Sequence, residues 1–254
     1  MSIPHYKISY SQNFEDLILA GILKSVNEGF YVDVGANHPE QDSVTKILYD
    51  KGWTGINIEP NDSLHVALCA QRPADINLKI GLSSQPGQLV FRSYEALDGL
   101  STFSADSKVN IEKVRPTTPF ADLLVEVRRL SDVLREHRPS GEIHFLKIDV
   151  EGMEFEVLLG NQWDQFRPWV LCIERPHLER NQNRALAAAM STFLDSWHYA
   201  AVFFDGINDY FVANEHAGIW DGFSYADDVV LNGVVVNHIF IKCIDDLRTK
   251  NQPR

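Results

Sequence analysis

Residues 29–39, GFYVDVGANHP, set the fold class. Phe30 to Val34 is a β-branched and aromatic run that reads as a short strand. Gly35-Ala36-Asn37 reads as a turn, and Ser43 to Asp50 as a helix. A strand, a tight turn and a helix in succession is the opening unit of a parallel sheet. The unit repeats. Gly55-Ile56-Asn57-Ile58 is a second strand, stopped after Glu59 by Pro60, and Leu64 to Ala70 returns to helical character.

Upstream of this unit, Ser11 stands before Leu17, Ile18, Leu19, Ile22 and Leu23, a helical pattern that Ser11 would cap. Downstream, Asp75 to Leu82 reads as a third strand and Gln88 to Tyr94 as a fourth, behind the turn Gln85-Pro86-Gly87. Asp98 to Phe120 is polar, contains Pro116 and Pro119, shows no period and reads as a substrate-facing loop. Leu130 to Glu136 is helical. Ile143 to Ile148 is the strongest strand and ends in Asp149-Val150-Glu151-Gly152, with a helix from Met153 to Leu159. Trp169 to Ile173 is a strand closed by Glu174, Leu186 to Trp197 a helix, and Tyr199–Phe204 with Tyr210–Ala213 a closing hairpin. The expected fold is α/β: a Rossmann-like, doubly wound, mostly parallel sheet with an antiparallel C-terminal hairpin. With 254 residues and no linker, one structural domain is expected. It divides into an N-terminal helical lid (1–28), a Rossmann-like domain (29–215) and a C-terminal extension (216–254).

Composition narrows the function. The net charge of −12 repels phosphate backbones and argues against nucleic acid as a partner. Cys69, Cys172 and Cys243 are isolated, which removes cysteine-based zinc patterns and a disulfide framework. The first ten residues lack a signal-peptide pattern, and Val229 to Cys243 is too short and polar to span a bilayer. A cytoplasmic protein is expected.

In doubly wound sheets the ligand lies beyond the carboxyl ends of the strands, so residues directly after strands come first. Asp33 and Gly35 close the first strand and Glu59 the second. A carboxylate there is placed to accept both hydroxyls of a ribose, and the glycine lets a nucleoside approach the backbone. GxGxxG is absent, which favours a nucleoside without phosphates, such as S-adenosylmethionine, over a dinucleotide. Ser83, just past the third strand, joins the cofactor-side candidates. Asp149, Glu151 and Glu174 follow adjacent strands. They are candidates for a general base toward a hydroxyl, a counter-charge to a sulfonium, or ligands to a divalent cation such as Mg2+, with Asp149 and Glu174 the metal pair. His38, in the first loop, is a second candidate base. No HExxH, GxSxG or P-loop is present.

The segments YSQNFEDLIL (10–19), GFYVDVGANHP (29–39), LYDKGWTGINIEP (48–60), GLSTF (99–103), FLKIDVEGMEFEVLLG (145–160) and FDGINDYFV (204–212) together resemble the FkbM family of S-adenosylmethionine-dependent methyltransferases. The resemblance implies a class I methyltransferase fold. It also implies O-methylation, commonly of a sugar hydroxyl in a bacterial surface polysaccharide or a secondary metabolite. By position it makes Asp33, Gly35 and Asn37 the first cofactor loop, Glu59 the ribose carboxylate and Asp149 the acid beside the transferred methyl. Asp209 departs from it, standing where a related DGLNRFYV stretch carries Arg. A small-molecule or glycan acceptor is the expected partner, with a homo-oligomer allowed. The competing classes are a non-catalytic nucleoside- or glycan-binding subunit and an NAD-dependent sugar dehydrogenase, the latter disfavoured by the missing glycines.

Overall fold

The computed structural model describes residues 6–94, 98–138, 140–175, 180–221, 223–225, 229 and 234–237. Most of the expected extension at 216–254 therefore lies outside the described residues, as does Cys243. Among the described residues no helix is long and apolar enough to cross a membrane.

The first strand, β1 (Tyr6–Ser9), pairs in parallel with the last, β12 (Val234–Asn237). The central sheet is built from β2 (Phe30–Val34), β3 (Thr54–Ile58), β4 (Ile76–Leu78), β8 (Phe145–Ile148), β9 (Val170–Glu174), β10 (Tyr199–Phe204) and β11 (Asn208–Ala213). Its order is β10-β11-β9-β8-β2-β3-β4. The five strands from β9 to β4 run parallel, while β11 is antiparallel to both β9 and β10. From β2 the chain steps out to β3 and β4, then returns to β8 on the other side of β2. The direction reverses between β2 and β8, and a crevice opens at their carboxyl ends.

Every residue of β2 is buried because both faces are covered. Val32 and Val34 face a core with Ile56, Ile148 and Ile173, closed by α5 (Leu130–His137), α6 (Glu154–Leu159) and α7 (Arg180–Ser196). Tyr31 faces a second core with Phe145 and Tyr210, closed by α1 (Glu15–Ile22) and α2 (Lys46–Asp50). The side-chain period of two assigns alternate residues to the two layers.

The expected third strand, 75–82, is two strands. Ile76–Leu78 joins the central sheet, whereas β5 (Gly81–Leu82) crosses to a separate sheet of order β5-β7-β6, with β6 (Gly87–Ser93) and β7 (Ala121–Arg128). The strand expected at 88–94 is therefore part of this cover, and β7 has no counterpart among the expected strands. Nor is 98–120 structureless: it holds a 3-10 turn at Asp98–Leu100 and α4 (Ala105–Val114), capped by Ser104 Oγ accepting from Ser107 N at 3.2 Å. Only Ser107 of α4 is buried, so the segment carries almost no apolar period to read. Between β3 and β4 runs α3 (Asp62–Gln71), capped by the side chain of Asn61. The N-cap of α1 is Phe14 at φ 66°, not Ser11, whose Oγ reaches the first turn from outside, accepting from Asp16 N at 3.3 Å and donating to Asp16 Oδ1 at 2.8 Å.

Candidate functional site

A cleft of about 490 Å³ occupies the crevice at the carboxyl ends of β2, β3 and β8. The backbone around it is unusual: Gly35 (φ 77°), Asn37 (52°), Asp42 (53°) and Glu151 (53°) are all left-handed, and all line the cleft. For residues with a side chain this conformation is costly and concentrates where surrounding contacts impose it. At Glu151 the imposing contacts are visible, since its carbonyl accepts from Thr102 Oγ1 and Ser107 Oγ, each at 2.7 Å. The segment expected as a loop thus holds the β8 turn in shape. Its Gly99, Leu100, Ser101 and Phe103 form one wall.

At the β3 end, Glu59 Oε2 accepts from Asn37 N and Oε1 from Asn61 N, both at 2.8 Å. Burial pushes its carboxyl up to about 7 despite those two donors. Gly35, Asn37 and Glu59, three of the residues expected on the cofactor side, therefore meet in one wall. Asp33 and Ser83 stand apart from it. Asp33 is 1% exposed, is not among the lining residues, accepts from Thr45 Oγ1 at 2.7 Å and lies 3.5 Å from Lys147 Nζ. Ser83 is also absent from the lining and belongs to the cover, its N–H donating to Arg128 O.

At the β8 and β9 ends, Asp149, Glu151 and Glu174 converge, each offering a carboxylate oxygen within 4.8 Å of the others. Burial, with Asp149 and Glu154 adding repulsion, raises Glu151 to about 8. Burial raises Glu174 well above the carboxylate range, and Asp149 both repels its charge and shares a hydrogen bond with it. At neutral pH this cluster holds a proton or a cation. Lys147 braces it from below. Its ammonium donates to Gly35 O at 2.8 Å and sits 3.2 Å from Asp149 Oδ2. Burial disfavours its charge, but Asp149 and Asp33 outweigh burial and raise its pKa.

His38 lines the cleft, but its Nδ1 accepts from Glu40 N (3.1 Å) and Gln41 N (2.9 Å). That network assigns the ring proton to Nε2 and consumes the lone pair a base would use. The geometry favours the carboxylates for proton removal.

Sequence reasoning missed Gln12, Gln41 and Asp42 in the lining, and also Glu154. Glu154 Oε1 accepts from Val150 N (3.2 Å) and Gly152 N (2.9 Å), tying down the turn that presents Asp149 and Glu151. An acid two residues after Gly152 at a helix start was the available signal. Of the aromatic residues, Phe91 and Phe103 line the cleft while Trp53, Trp163 and Tyr210 are core.

Residues 33–212 match the family described as Methyltransferase FkbM domain. A protein described as Methyltransferase sdnD, from Sordaria araneosa, is 38% identical over 130 residues, covering 43% of this chain and 50% of that protein. Methyltransferase 1 of Beauveria bassiana (strain ARSEF 2860) is 36% identical over 95 residues, covering 33% of this chain and 38% of that protein. The chain spans about half or less of the length of these curated relatives.

Proposed function

The chain belongs to the FkbM methyltransferase family, and we propose accordingly that it transfers a methyl group from S-adenosylmethionine to a hydroxyl, in a sugar or a glycosylated small molecule. The observation that carries the reading is one cleft with Glu59 at the β3 end and Asp149 at the β8 end, on either side of the point where strand order reverses. We read the order, with its antiparallel β11, as the class I methyltransferase arrangement.

S-adenosylmethionine supplies a methyl group on a sulfonium. Glu59 fits the nucleoside end: its oxygens are held by two backbone N–H groups, and a ribose diol adds donors to a carboxylate already oriented. Gly35, left-handed at φ 77°, lets the loop turn beside it with the Asp149 backbone packed where a Cβ would stand. Methyl transfer is an in-line displacement, so holding the acceptor oxygen in line supplies much of the acceleration. The wall made by residues 99–103 restricts the acceptor side. Asp149, oriented by Lys147 and hydrogen-bonded with Glu174, takes the hydroxyl proton. Asp149, Glu151 and Glu174 also form a set of hard oxygen ligands that fits a divalent cation, which would orient the acceptor oxygen there and lower its pKa.

Mass spectrometry of the protein as purified, followed by transfer from methyl-labelled S-adenosylmethionine to a panel of glycosides, tests the reading. Cofactor with incorporated label supports it. Bound nucleoside with no transfer to any hydroxyl acceptor would leave a binding subunit, and bound NAD a dehydrogenase.

A further inference from the structure

Resting on the methyl-transfer reading, we propose that the acceptor carries no phosphate or carboxylate, so that the enzyme acts on an uncharged polyol or glycoside and not on a phosphorylated sugar or a sugar acid. The inference comes from where the cations of the frame are committed. Asp42, Glu59, Asp149, Glu151 and Glu174 line the cleft, and among the described residues no lysine or arginine does.

Among the described residues, the cations beside the lining are engaged within the protein: Lys79, before Ile80, pairs with Asp62, Arg92, after Phe91, pairs with Asp122 and Glu112, and Lys147, Arg175 and Arg72 are held more deeply. Lys147, on β8, is 6% exposed and held by Gly35 O, Asp149 and Asp33. Arg175, directly after Glu174, forms a two-pronged pair with Asp209, Nε to Oδ2 at 2.5 Å and Nη2 to Oδ1 at 2.6 Å, and stacks over Phe204. Such a fork satisfies the planar guanidinium face that would otherwise grip a phosphate or carboxylate. Arg72 is 1% exposed and pins the 39–45 segment through Pro39 O, Ser43 Oγ and Thr45 Oγ1.

Among the described residues, an anion entering this cleft meets carboxylates and no lining guanidinium or ammonium to offset them. Asp149, Glu151 and Glu174 already place three carboxylates within 4.8 Å of one another, and a further negative group adds to that repulsion. A neutral hydroxyl meets acceptors for its proton. Placed in a reaction sequence, methylation then precedes phosphate activation of the sugar or follows the glycosyl transfer that displaces the phosphate-bearing leaving group.

The test uses the full chain loaded with adenosylhomocysteine, titrated in a calorimeter with inorganic phosphate and with matched pairs, each a methyl glycoside and its phosphate ester or uronate. Transfer from labelled S-adenosylmethionine to the same pairs is measured in parallel. The expected result is no saturable phosphate binding and a kcat/KM at least about tenfold higher for the uncharged member of any methylated pair. Saturable phosphate or ester binding, or preferential methylation of an anionic member, overturns the inference. Failure to bind adenosylhomocysteine would instead overturn the methyl-transfer reading, so the two failures are distinguishable.

Discussion

Gly35 and Asp149 approach so closely that a Cβ built on the glycine would lie 1.8 Å from the Asp149 carbonyl oxygen. The contact joins the loop after β2, proposed to hold the cofactor, to the proposed base, and it exists because β2 and β8 are neighbours at the reversal of strand order. Here the empty side of a glycine is filled by another strand's backbone, which cannot step aside as a flexible side chain would.

Gly35→Ala is accordingly expected to destabilise the fold by more than about 2 kcal/mol, combining the left-handed penalty with a backbone clash. Gly52 has φ 90°, and a Cβ added there would meet nothing within 4 Å. Gly52→Ala should therefore cost only about 1–2 kcal/mol. Urea denaturation of both variants checks the difference, and equal losses would mean that the Asp149 contact relaxes freely.

Glu59→Ala removes the acceptor proposed for the ribose hydroxyls. Affinity for adenosylhomocysteine should fall by roughly 1–3 kcal/mol. Calorimetry measures it directly, and unchanged affinity would displace the nucleoside from the β3 end.

Cofactor binding should also release protons. Burial holds Glu59 near 7 in the free protein, so near neutrality part of the population is protonated there. Ribose donors favour the carboxylate and lower that value. The binding enthalpy at pH 7 should vary with buffer ionisation enthalpy in the sense of proton release, and should cease to do so near pH 9.

Glu154 gives a stability prediction. Burial raises it to about 7 against its two backbone donors. Between the ordinary carboxylate value near 4.5 and about 7 the folded chain therefore binds more protons than the unfolded one. Its contribution is full below that window and lost as pH rises through it. Glu154→Gln should flatten the decline in unfolding free energy between about pH 5 and 8, measured by denaturant titration at each pH.

Asp149→Asn should leave folding and cofactor affinity intact and slow methyl transfer by about 10²-fold or more. His38→Ala should keep the acid limb of the kcat profile, because Nδ1 is spent on Glu40 and Gln41. Chelation separates the two roles of the acidic cluster: loss of activity restored by magnesium indicates a cation there, and indifference indicates a shared proton.

The central strands were legible in the sequence because burial on both faces makes them nearly continuous apolar runs. β2, β3, β8 and β9 all have that form, and the acids at their ends were visible with them. The cover was less legible. α4 buries only Ser107, and β7 is exposed over most of its length, so neither carries the period that marks an element. The resemblance identified the family from ordered motifs that reach across both regions.

The order of residues alone was enough to establish the alternation of strands and helices, and which carboxylates follow strands. Which of those carboxylates meet was settled only by the packed chain. Asp33 turns beneath the floor toward Thr45 and Lys147, while Glu174, 25 residues beyond Asp149 and on the next strand, reaches the same cluster. Arg175 is spent on Asp209 because β9 and β11 pair with Asp209 opposite Ile173. Local pattern records the period of burial along one strand, whereas a site records strand order and register, which are set by pairing between segments far apart in the chain.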